Sequence, residues 1–315
     1  MTMSKEIDLS SIKTTSIHNR KSKVTLKEMA QLYKPGNSFK SFLDSLPPIL
    51  KAKDFKAVVE AIVSASRNDK PVIWMMGAHV IKCGLSPVVI DLMEEKVITA
   101  VCMNGAGAIH DLELACFGHT SEDVAENLVN GTFGMARETA EMLNGALQFG
   151  AKKGLGYGEA IGKRLSEKDV KNKDVSIFAA GYMLGIPVTV FVGIGTEITH
   201  QHPSADGKVI GELSMRDFRI FSKILCKLSS GGVVINLGSA VILPEVFLKA
   251  LTVVRNLGYK AEDFTAVNFD MIQHYRPGQN VVSRPTFDGG KGYMITGHHE
   301  IMIPLLAAAV KEKLA

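Results

Sequence analysis

The sequence has few cysteines and no long apolar run, and each shortage excludes a class of protein. Its four cysteines stand apart, without the Cys-x-x-Cys spacing of a zinc or redox motif, so a disulfide framework is not indicated. No stretch approaches the roughly 20 uninterrupted apolar residues of a membrane span, and the N-terminal residues contain no apolar segment typical of a signal peptide. These features predict a cytoplasmic protein with no membrane contact.

An excess of charge of one sign is also lacking. The chain carries 36 basic and 32 acidic side chains, a formal charge of +4, and the two signs are mixed along its length. Nucleic-acid-binding domains concentrate basic residues on one face, so nucleic acid is not expected as a partner. A small anionic ligand is compatible with this balance. With 315 residues, 46% of them hydrophobic, the chain is long enough to bury a large core.

Segments of strand length alternate with amphipathic helical segments over most of the chain. The six apolar runs cover residues 71–77, 97–105, 186–195, 233–238, 264–270 and 292–296. Strands separated by helices are typical of a parallel sheet, so we predict an α/β fold with a doubly wound, mostly parallel Rossmann-like sheet and helices on both faces. We also predict a polar arm over residues 1–25 and a single domain over residues 26–315, with a helical excursion at about 120–185.

Nearly every predicted strand ends in glycine or a small polar residue. In doubly wound sheets ligands bind beyond the carboxyl ends of the strands, and small residues there let backbone N–H groups approach a phosphate. The strand ends therefore predict an extended rim that binds a dinucleotide. Its candidate residues are Gly77, Asn104, Gly105, Ala106, Gly107, His110, Asp111, Gly238, Ser239, Ala240, Asp270, Thr296 and Gly297.

The segment from Gly105 to His110 is nearly a dinucleotide-binding G-x-G-x-x-G motif. His110 stands where that motif has its third glycine, and Asp111 follows directly. Two interpretations remain open. Either these two side chains face a ligand at the start of a helix, or Asp111 complements the helix dipole and His110 caps the helix.

The order and spacing of several segments resemble the deoxyhypusine synthase family, most closely its divergent prokaryotic deoxyhypusine synthase-like branch. The segments are MNGAGAIHDLELA at 103–115, GIPVTVFVGIGTE at 185–197, LSSGGVVINLGSAV at 228–241, and SRPTFDGGKGY at 283–293 with IPLLAAAV at 303–310. The resemblance covers the chain from about residue 71 to its end. It implies the family's NAD-binding fold and a homotetramer. It also implies oxidation of the polyamine spermidine by NAD and transfer of an aminobutyl group, through a lysine imine, to a lysine of a translation factor.

The cofactor side of this resemblance is closer than the substrate side. The small residues at the strand ends correspond to positions where the family holds NAD, and Lys291 in DGGKGY is the nearest counterpart of its imine-forming lysine. Gln279 and Asn280 stand where the family has polar and acidic ligands of the spermidine ammonium groups. The resemblance therefore implies an NAD-dependent transferase that moves an alkyl-amine fragment, with a polar or amine-containing small molecule other than spermidine as its substrate.

Two histidines and a glutamate near the strand ends complete the candidate catalytic residues. With Lys291 they are Glu197, His200 and His298. A glutamate just past a strand suits a ribose or an amine, and histidine suits proton transfer because it titrates near neutral pH. This interpretation involves no metal. Two alternatives remain open: a metal-dependent hydrolase or lyase that uses His200, His202 and His298, and a non-catalytic module that binds NAD.

Overall fold

The computed structural model describes residues 6–315. Residues 1–5, the beginning of the predicted arm, lie outside this range. Residues 6–38 contain two short 3₁₀ turns, Ile17–Asn19 and Leu26–Glu28, and their side chains are almost all exposed. The boundary at residue 25 and the single domain after it stay predictions.

Six strands form one sheet, and each coincides with one of the six predicted apolar runs. They are β1 Val72–Met76, β2 Ala100–Asn104, β3 Val188–Phe191, β4 Val233–Leu237, β5 Thr265–Asp270 and β6 Lys291–Thr296. All pairs are parallel, and the order across the sheet is β3-β2-β1-β4-β5-β6. This is the strand order of the doubly wound Rossmann fold, so the predicted α/β fold class is confirmed.

Helices connect the strands and cover both faces of the sheet. They are α1 Phe39–Ser45, α2 Leu50–Arg67, α3 His79–Lys82, α4 Ser86–Glu94, α5 Gly105–Phe117, α6 Val124–Val129, α7 Arg137–Lys153, α8 Tyr157–Leu165, α9 Ile177–Leu184, α10 Gly207–Leu225, α11 Ile242–Asn256, α12 Tyr275–Pro277 and α13 His299–Leu314. A π-helical turn, Gly278–Ser283, follows α12, and further 3₁₀ turns lie at Lys173–Val175 and Ile198–Gln201. Between α5 and β3 the chain forms only helices, α6 to α9, and short turns. Among the described helices, none combines the length and the apolar character needed to cross a membrane.

Alternate residues of the central strand β1 pack into two separate hydrophobic clusters. Trp74 and Met76 belong to the larger cluster, together with residues of α2, α5 and α13. Ile73 and Met75 belong to the second cluster, together with Phe221 of α10. Successive side chains of a strand point to opposite faces of a sheet, and since both faces are covered here, the whole of β1 is buried. A ligand can therefore reach this sheet only at the ends of its strands.

The strand order reverses at the centre of the sheet. From β1 the chain proceeds outward to β2 and β3 on one side, and then returns to β4, β5 and β6 on the other side. All six strands end at the same side of the sheet, which we call the carboxyl edge. The crevice between the ends of β1 and β4 is the position at which doubly wound sheets bind their ligands.

Candidate functional site

The turn between β2 and α5 begins the carboxyl edge on the side of β2. The Asn104 side chain caps α5 by accepting a hydrogen bond from the Gly107 N–H at 3.1 Å. Glu197 lies against the same turn, so close that a Cβ atom on Gly105 would stand 2.5 Å from the Glu197 carboxyl carbon. Burial raises the pKa of Glu197, although hydrogen bonds from Thr196 and the Gly105 backbone oppose that shift. The protein's own amide and carboxyl groups therefore occupy the helix start that the sequence analysis assigned to a dinucleotide phosphate.

Asp111 faces the interior of the protein and not the carboxyl edge. Its side chain is fully buried, and its two oxygens accept hydrogen bonds from the Ser176 hydroxyl and the Ile177 N–H at the start of α9. Burial raises the pKa of Asp111 to about 6. This geometry corrects the assignment of Asp111 to the cofactor, because the carboxyl group connects α5 to α9 and has no contact left for a ligand.

A cavity of about 730 Å³ opens at the carboxyl edge beside β2 and β3. The start of α5, the segment after it, the start of α7 and the loop after β3 form its walls, and Lys82 reaches it from α3. Four carboxylates line this cavity, with two histidines and one lysine as the basic groups. These residues are Glu113, Glu122, Glu138, Glu197, His110, His119 and Lys82. Because carboxylates outnumber the cations, the cavity suits a positively charged ligand.

One wall of this cavity carries a connected hydrogen-bond network. His110 Nδ1 lies 2.6 Å from the Thr120 hydroxyl, which in turn donates to Glu113 at 2.5 Å. The Thr139 hydroxyl of α7 donates to the other oxygen of Glu113 at 2.9 Å. Burial and, to a lesser extent, the charge of Lys82 lower the pKa of His110, while the charge of Glu113 opposes them. His110 is therefore a neutral, positioned imidazole at the cavity, which favours the first of the two interpretations given for it.

Lys291 lies at the wrong end of the sheet for the predicted imine chemistry. It is the first residue of β6, its backbone N–H donates to the Phe264 carbonyl before β5, and its side chain is exposed. With a rise of about 3.3 Å per residue, it stands roughly 16 Å from Thr296, where β6 ends. The prediction that Lys291 is catalytic is therefore not supported within this chain. The lysine that lines the cavity is Lys82.

The predicted catalytic histidines do not converge. His200 follows β3 and His298 follows β6, and these two strands are the opposite outer strands of the sheet. At about 4.8 Å between neighbouring strands, five spacings separate the strand ends by roughly 24 Å. Within residues 6–315, no group of three or more histidine, cysteine or acidic side chains is arranged to hold a metal ion. The geometry therefore does not support the metal-dependent alternative.

The central crevice between β1 and β4 is narrow. A Cβ atom on Gly77 would stand 2.6 Å from the Gly238 carbonyl oxygen, so glycine is needed there for the two strand ends to approach. Gly238 has a φ of +69°, which favours glycine, and the His299 imidazole lies directly against it. Gly77 and Gly238 are both predicted to bind a dinucleotide, but in the structure they pack against other residues of the protein.

The helices that follow β4 and β6 begin differently from α5. Neither Val241 nor His298, the N-cap residues of α11 and α13, makes a side-chain cap hydrogen bond, although the Ser239 hydroxyl accepts one from the Leu243 N–H in the first turn of α11. Ser239 and Ala240 precede α11, while Thr296 and Gly297 precede α13. Because free backbone N–H groups at a helix start attract anions, the start of α13 is the better-placed site for a phosphate, while α11 keeps fewer free donors because Leu243 bonds to Ser239 and Pro244 has no N–H.

Asp270 and His299 lie between these helix starts. The Gly297 N–H donates to the carbonyl of Asp270, which is itself buried at the end of β5. His299 is 1% exposed, neither of its ring nitrogens has a hydrogen-bond partner among the described residues, and burial lowers its pKa. Its ring centre lies 6.0 Å from that of His79. The sequence predicts a catalytic role for His298 but not for His299, although both follow β6 and lie at the carboxyl edge.

Comparisons with known proteins match the fold and not the sequence. No family model matches the chain, and no curated protein sequence matches it. Among solved structures, the ternary complex of AgrE with ornithine and NAD⁺ matches with a TM-score of 0.54 and 13% identity. A protein from Entamoeba histolytica, provisionally assigned as a deoxyhypusine synthase, matches with a TM-score of 0.51 and 12% identity.

The two matches differ in how much of each neighbour they cover. The AgrE match includes 82% of this chain but only 33% of AgrE, so the chain spans about a third of that protein. The match to the Entamoeba protein includes 87% of this chain and 93% of the other. At these identities the matches show a shared Rossmann-like α/β fold, which agrees with the strand order described above.

Proposed function

We propose that this chain is an enzyme that binds NAD at the carboxyl edge and acts on a small molecule carrying a positively charged amine. The observation that carries this proposal is the acidic cavity, which opens at the edge where Rossmann-like sheets bind their ligands. The proposal retains the NAD cofactor and the amine-containing substrate expected from the sequence, and it places them on different halves of the sheet.

The half formed by β4, β5 and β6 fits the cofactor better than the turn after β2. The segment from Thr296 to His298 leads into α13, a long helix without a side-chain cap, so the free backbone N–H groups of its first turn suit the diphosphate, and the small residues from Gly238 to Ala240 lie beside it at the end of β4. At Gly105 to Gly107 the same role would place a phosphate against the Glu197 carboxyl group. When bound, NAD supplies the hydride acceptor for an amine oxidation.

The half formed by β2 and β3 fits the substrate. Removing an ammonium group from water is costly unless carboxylates replace its hydration, and Glu113, Glu138 and Glu197 are positioned to do so. Such carboxylates are missing near Gln279 and Asn280, where the family resemblance predicts them. The carboxylates come instead from α5, α7 and the loop after β3.

Two structural neighbours are consistent with this proposal. AgrE has been crystallised with ornithine, an amino acid with a second amine, together with NAD⁺. The Entamoeba protein is provisionally assigned as a deoxyhypusine synthase, and the structural match covers nearly its full length. We therefore propose kinship with the deoxyhypusine synthases and a homo-oligomeric assembly, both of which rest on the resemblance in motif order.

Transfer of an alkyl-amine fragment remains part of the proposal, with a different lysine. An imine-forming lysine must reach the oxidised carbon of the substrate, and Lys82 is the lysine that lines the cavity. Borohydride trapping with NAD and 1,4-diaminobutane, followed by mass mapping, tests this role. An adduct at Lys82 supports the transfer step, whereas trapping at Lys291 or at no lysine contradicts it.

The substitution Glu138→Gln tests the substrate half. Glu138 lines the cavity from the first turn of α7, so loss of its charge should weaken the binding of 1,4-diaminobutane. Its side chain is about half exposed and already pairs with Arg137, so the effect should be modest, roughly a twofold to fivefold weaker Kd. Isothermal titration calorimetry with the full chain measures this change.

Glu141→Gln is the matched control for this experiment. Glu141 lies on the same helix and lines a separate, smaller pocket, so its substitution should leave diamine affinity unchanged. NAD affinity should be the same in both variants. Wild-type protein that binds neither NAD nor any diamine would reject the proposed function, and binding of NAD alone would favour the non-catalytic module.

A further inference from the structure

The hydrogen-bond network at the cavity fixes the positions of protons as well as of side chains. A carboxylate has only acceptor atoms, so the Thr120 hydroxyl must give its single proton to Glu113 in their 2.5 Å hydrogen bond. Thr120 can then only accept from His110 Nδ1 across the 2.6 Å contact. The hydrogen of the neutral imidazole therefore resides on Nδ1.

This tautomer leaves the other ring nitrogen with a free lone pair. Nε2 of His110 makes no hydrogen bond to any described residue, and it is not a fully buried atom. His110 itself lines the cavity, and its side chain keeps 17% of its surface exposed. Nε2 is therefore accessible from the cavity as a proton acceptor.

An amine oxidation requires such an acceptor. Hydride can leave the carbon beside the nitrogen only when the nitrogen lone pair is free to form the C=N bond, and a protonated ammonium group has no lone pair. We infer that His110 Nε2 is the base that deprotonates the substrate ammonium group in this cavity, and that Thr120 and Glu113 are the positioning residues that hold His110 for this step. This inference rests on the function proposed above.

The step balances in protons and electrons. One N–H bond of the ammonium group breaks, its proton bonds to Nε2, and the electron pair stays on the substrate nitrogen. The imidazole becomes an imidazolium whose charge is stabilised by Glu113 through Thr120. NAD, the co-reactant of the proposed function, would supply the hydride acceptor when bound. The arrangement places a threonine hydroxyl between the histidine and the carboxylate that orients it.

Several other charged groups surround His110 and set its response to pH. Lys82 on α3 favours the neutral imidazole and Glu113 on α5 favours the imidazolium, with burial as the largest influence toward neutrality. The other ionisable groups that line the same cavity from the neighbouring segments are His119, Glu122, Glu138 and Glu197. Because carboxylates outnumber the cations in this cavity, they favour the binding of an ammonium group beside His110.

Nuclear magnetic resonance of the ¹⁵N-histidine-labelled full chain tests the positioning of His110 without a substrate. The proposal expects the Nδ1–H tautomer for His110 in the wild type and loss of that preference in Thr120→Val, which removes the hydroxyl at nearly constant volume. His119, exposed at the same cavity, serves as the internal reference. An Nε2–H tautomer in the wild type, or the same tautomer ratio in Thr120→Val, overturns the inference.

Formation of NADH from NAD and 1,4-diaminobutane tests the catalytic step. His110→Gln should lower kcat by about 100-fold or more while the calorimetric Kd of the diamine stays within about threefold, and His18→Gln, at an exposed position outside the cavity, should keep the wild-type kcat. Equal rates for the two variants reject His110 as the base and leave the amine oxidation standing. Wild-type protein that forms no NADH from any amine rejects the oxidation itself, and the base with it.

Discussion

At the scale of single residues, Asp111 shows how a side chain beside a glycine-rich turn can turn inward. The sequence places it next to His110 at the start of α5, where both appear equally suited to a ligand. On a helix, however, successive residues are separated by about 100°, so adjacent side chains face different directions. His110 reaches the cavity, while Asp111 reaches Ser176 at the start of α9.

The substitution Asp111→Asn should change the pH dependence of stability. Burial raises the pKa of Asp111 from 3.8 to about 6, so the folded protein holds a proton that the unfolded chain releases. The stabilisation from this proton is fully present below pH 4 and is lost as the pH rises through about 6. An asparagine resembles the protonated acid, because its amide oxygen can accept from the Ile177 N–H while its NH₂ donates to Ser176.

Chemical denaturation at several pH values measures this effect. The free energy of unfolding of Asp111→Asn, relative to that of the wild type, should increase between about pH 4 and 6 by up to about 3 kcal/mol, and should then stay constant. Asp217, another buried carboxyl group, is unchanged in both proteins and cancels in the comparison. A difference that does not vary with pH would contradict the assigned protonation of Asp111.

At the scale of elements, the contact between α8 and β3 depends on a single glycine. A Cβ atom on Gly158 would lie 1.8 Å from the Val188 carbonyl oxygen, which is backbone and cannot rotate away. The helix therefore approaches the strand as closely as only glycine permits. The sequence shows a glycine within a helical pattern at this position but gives no indication that it is needed for packing.

Gly158→Ala should destabilise the protein through this contact. Overpacking of a close contact costs about 1–3 kcal/mol, and the clash with backbone places this substitution at the upper end of that range. Gly145→Ala on α7 is the matched control, because its Cβ meets nothing within 4 Å and removal of a glycine from a helix stabilises by about 0.5–1 kcal/mol. Thermal or urea denaturation of both variants measures whether each substitution lowers or raises the free energy of unfolding. Two shifts of the same sign would contradict the close approach of α8 and β3.

The starts of α5, α11 and α13 also show that similar strand-to-helix turns are not equivalent. All three follow a strand and contain small residues, so the sequence analysis gave them the same role in one rim. In the structure, Asn104 caps α5 and the Ser239 hydroxyl accepts from the Leu243 N–H of α11, while α13 has no side-chain cap. Glu197 adds to this difference, because the fold brings it against Gly105 at the start of α5 although the two residues are 92 positions apart in the sequence.

At the scale of the whole molecule, the reversal of strand order divides the carboxyl edge into two halves with different ligands. The half of β4, β5 and β6 offers the uncapped start of α13, and the half of β2 and β3 offers the acidic cavity. The two proposed ligands would then meet near β1, at the centre of the sheet. This arrangement requires that NAD make few contacts with the turn at Gly105.

Hydrogen–deuterium exchange with and without NAD tests this division. Bound NAD should slow exchange in peptides that cover Gly238 to Ala240 and Gly297 to Glu300, because the backbone N–H groups there become donors to the cofactor. Peptides that cover Gly105 to Gly107 should change little and serve as the internal control. Protection at Gly105 to Gly107 alone would reject the assignment of NAD to the half of β4, β5 and β6.

The sequence by itself determined the six strands, the α/β class and the edge at which the site lies. These features follow from local patterns: apolar runs of strand length, helix caps, and glycines at strand ends. It also selected His110 and Glu197, since both directly follow strands and therefore lie at the carboxyl edge. Lys291 was selected for its motif, and the start of β6 places it at the opposite edge.

Only the tertiary structure decided which of these residues meet. The cavity combines α3, α5, α7 and the loop after β3, segments that are separated by up to about a hundred residues and adjacent only because β1, β2 and β3 are neighbours. Thr120 and Glu138 carry no local signal, since an exposed threonine or glutamate in a helical stretch is ordinary in any sequence. Strand order is set by the packing of both faces of the sheet at once, and that packing determines which strand ends, and so which charges, share one cavity.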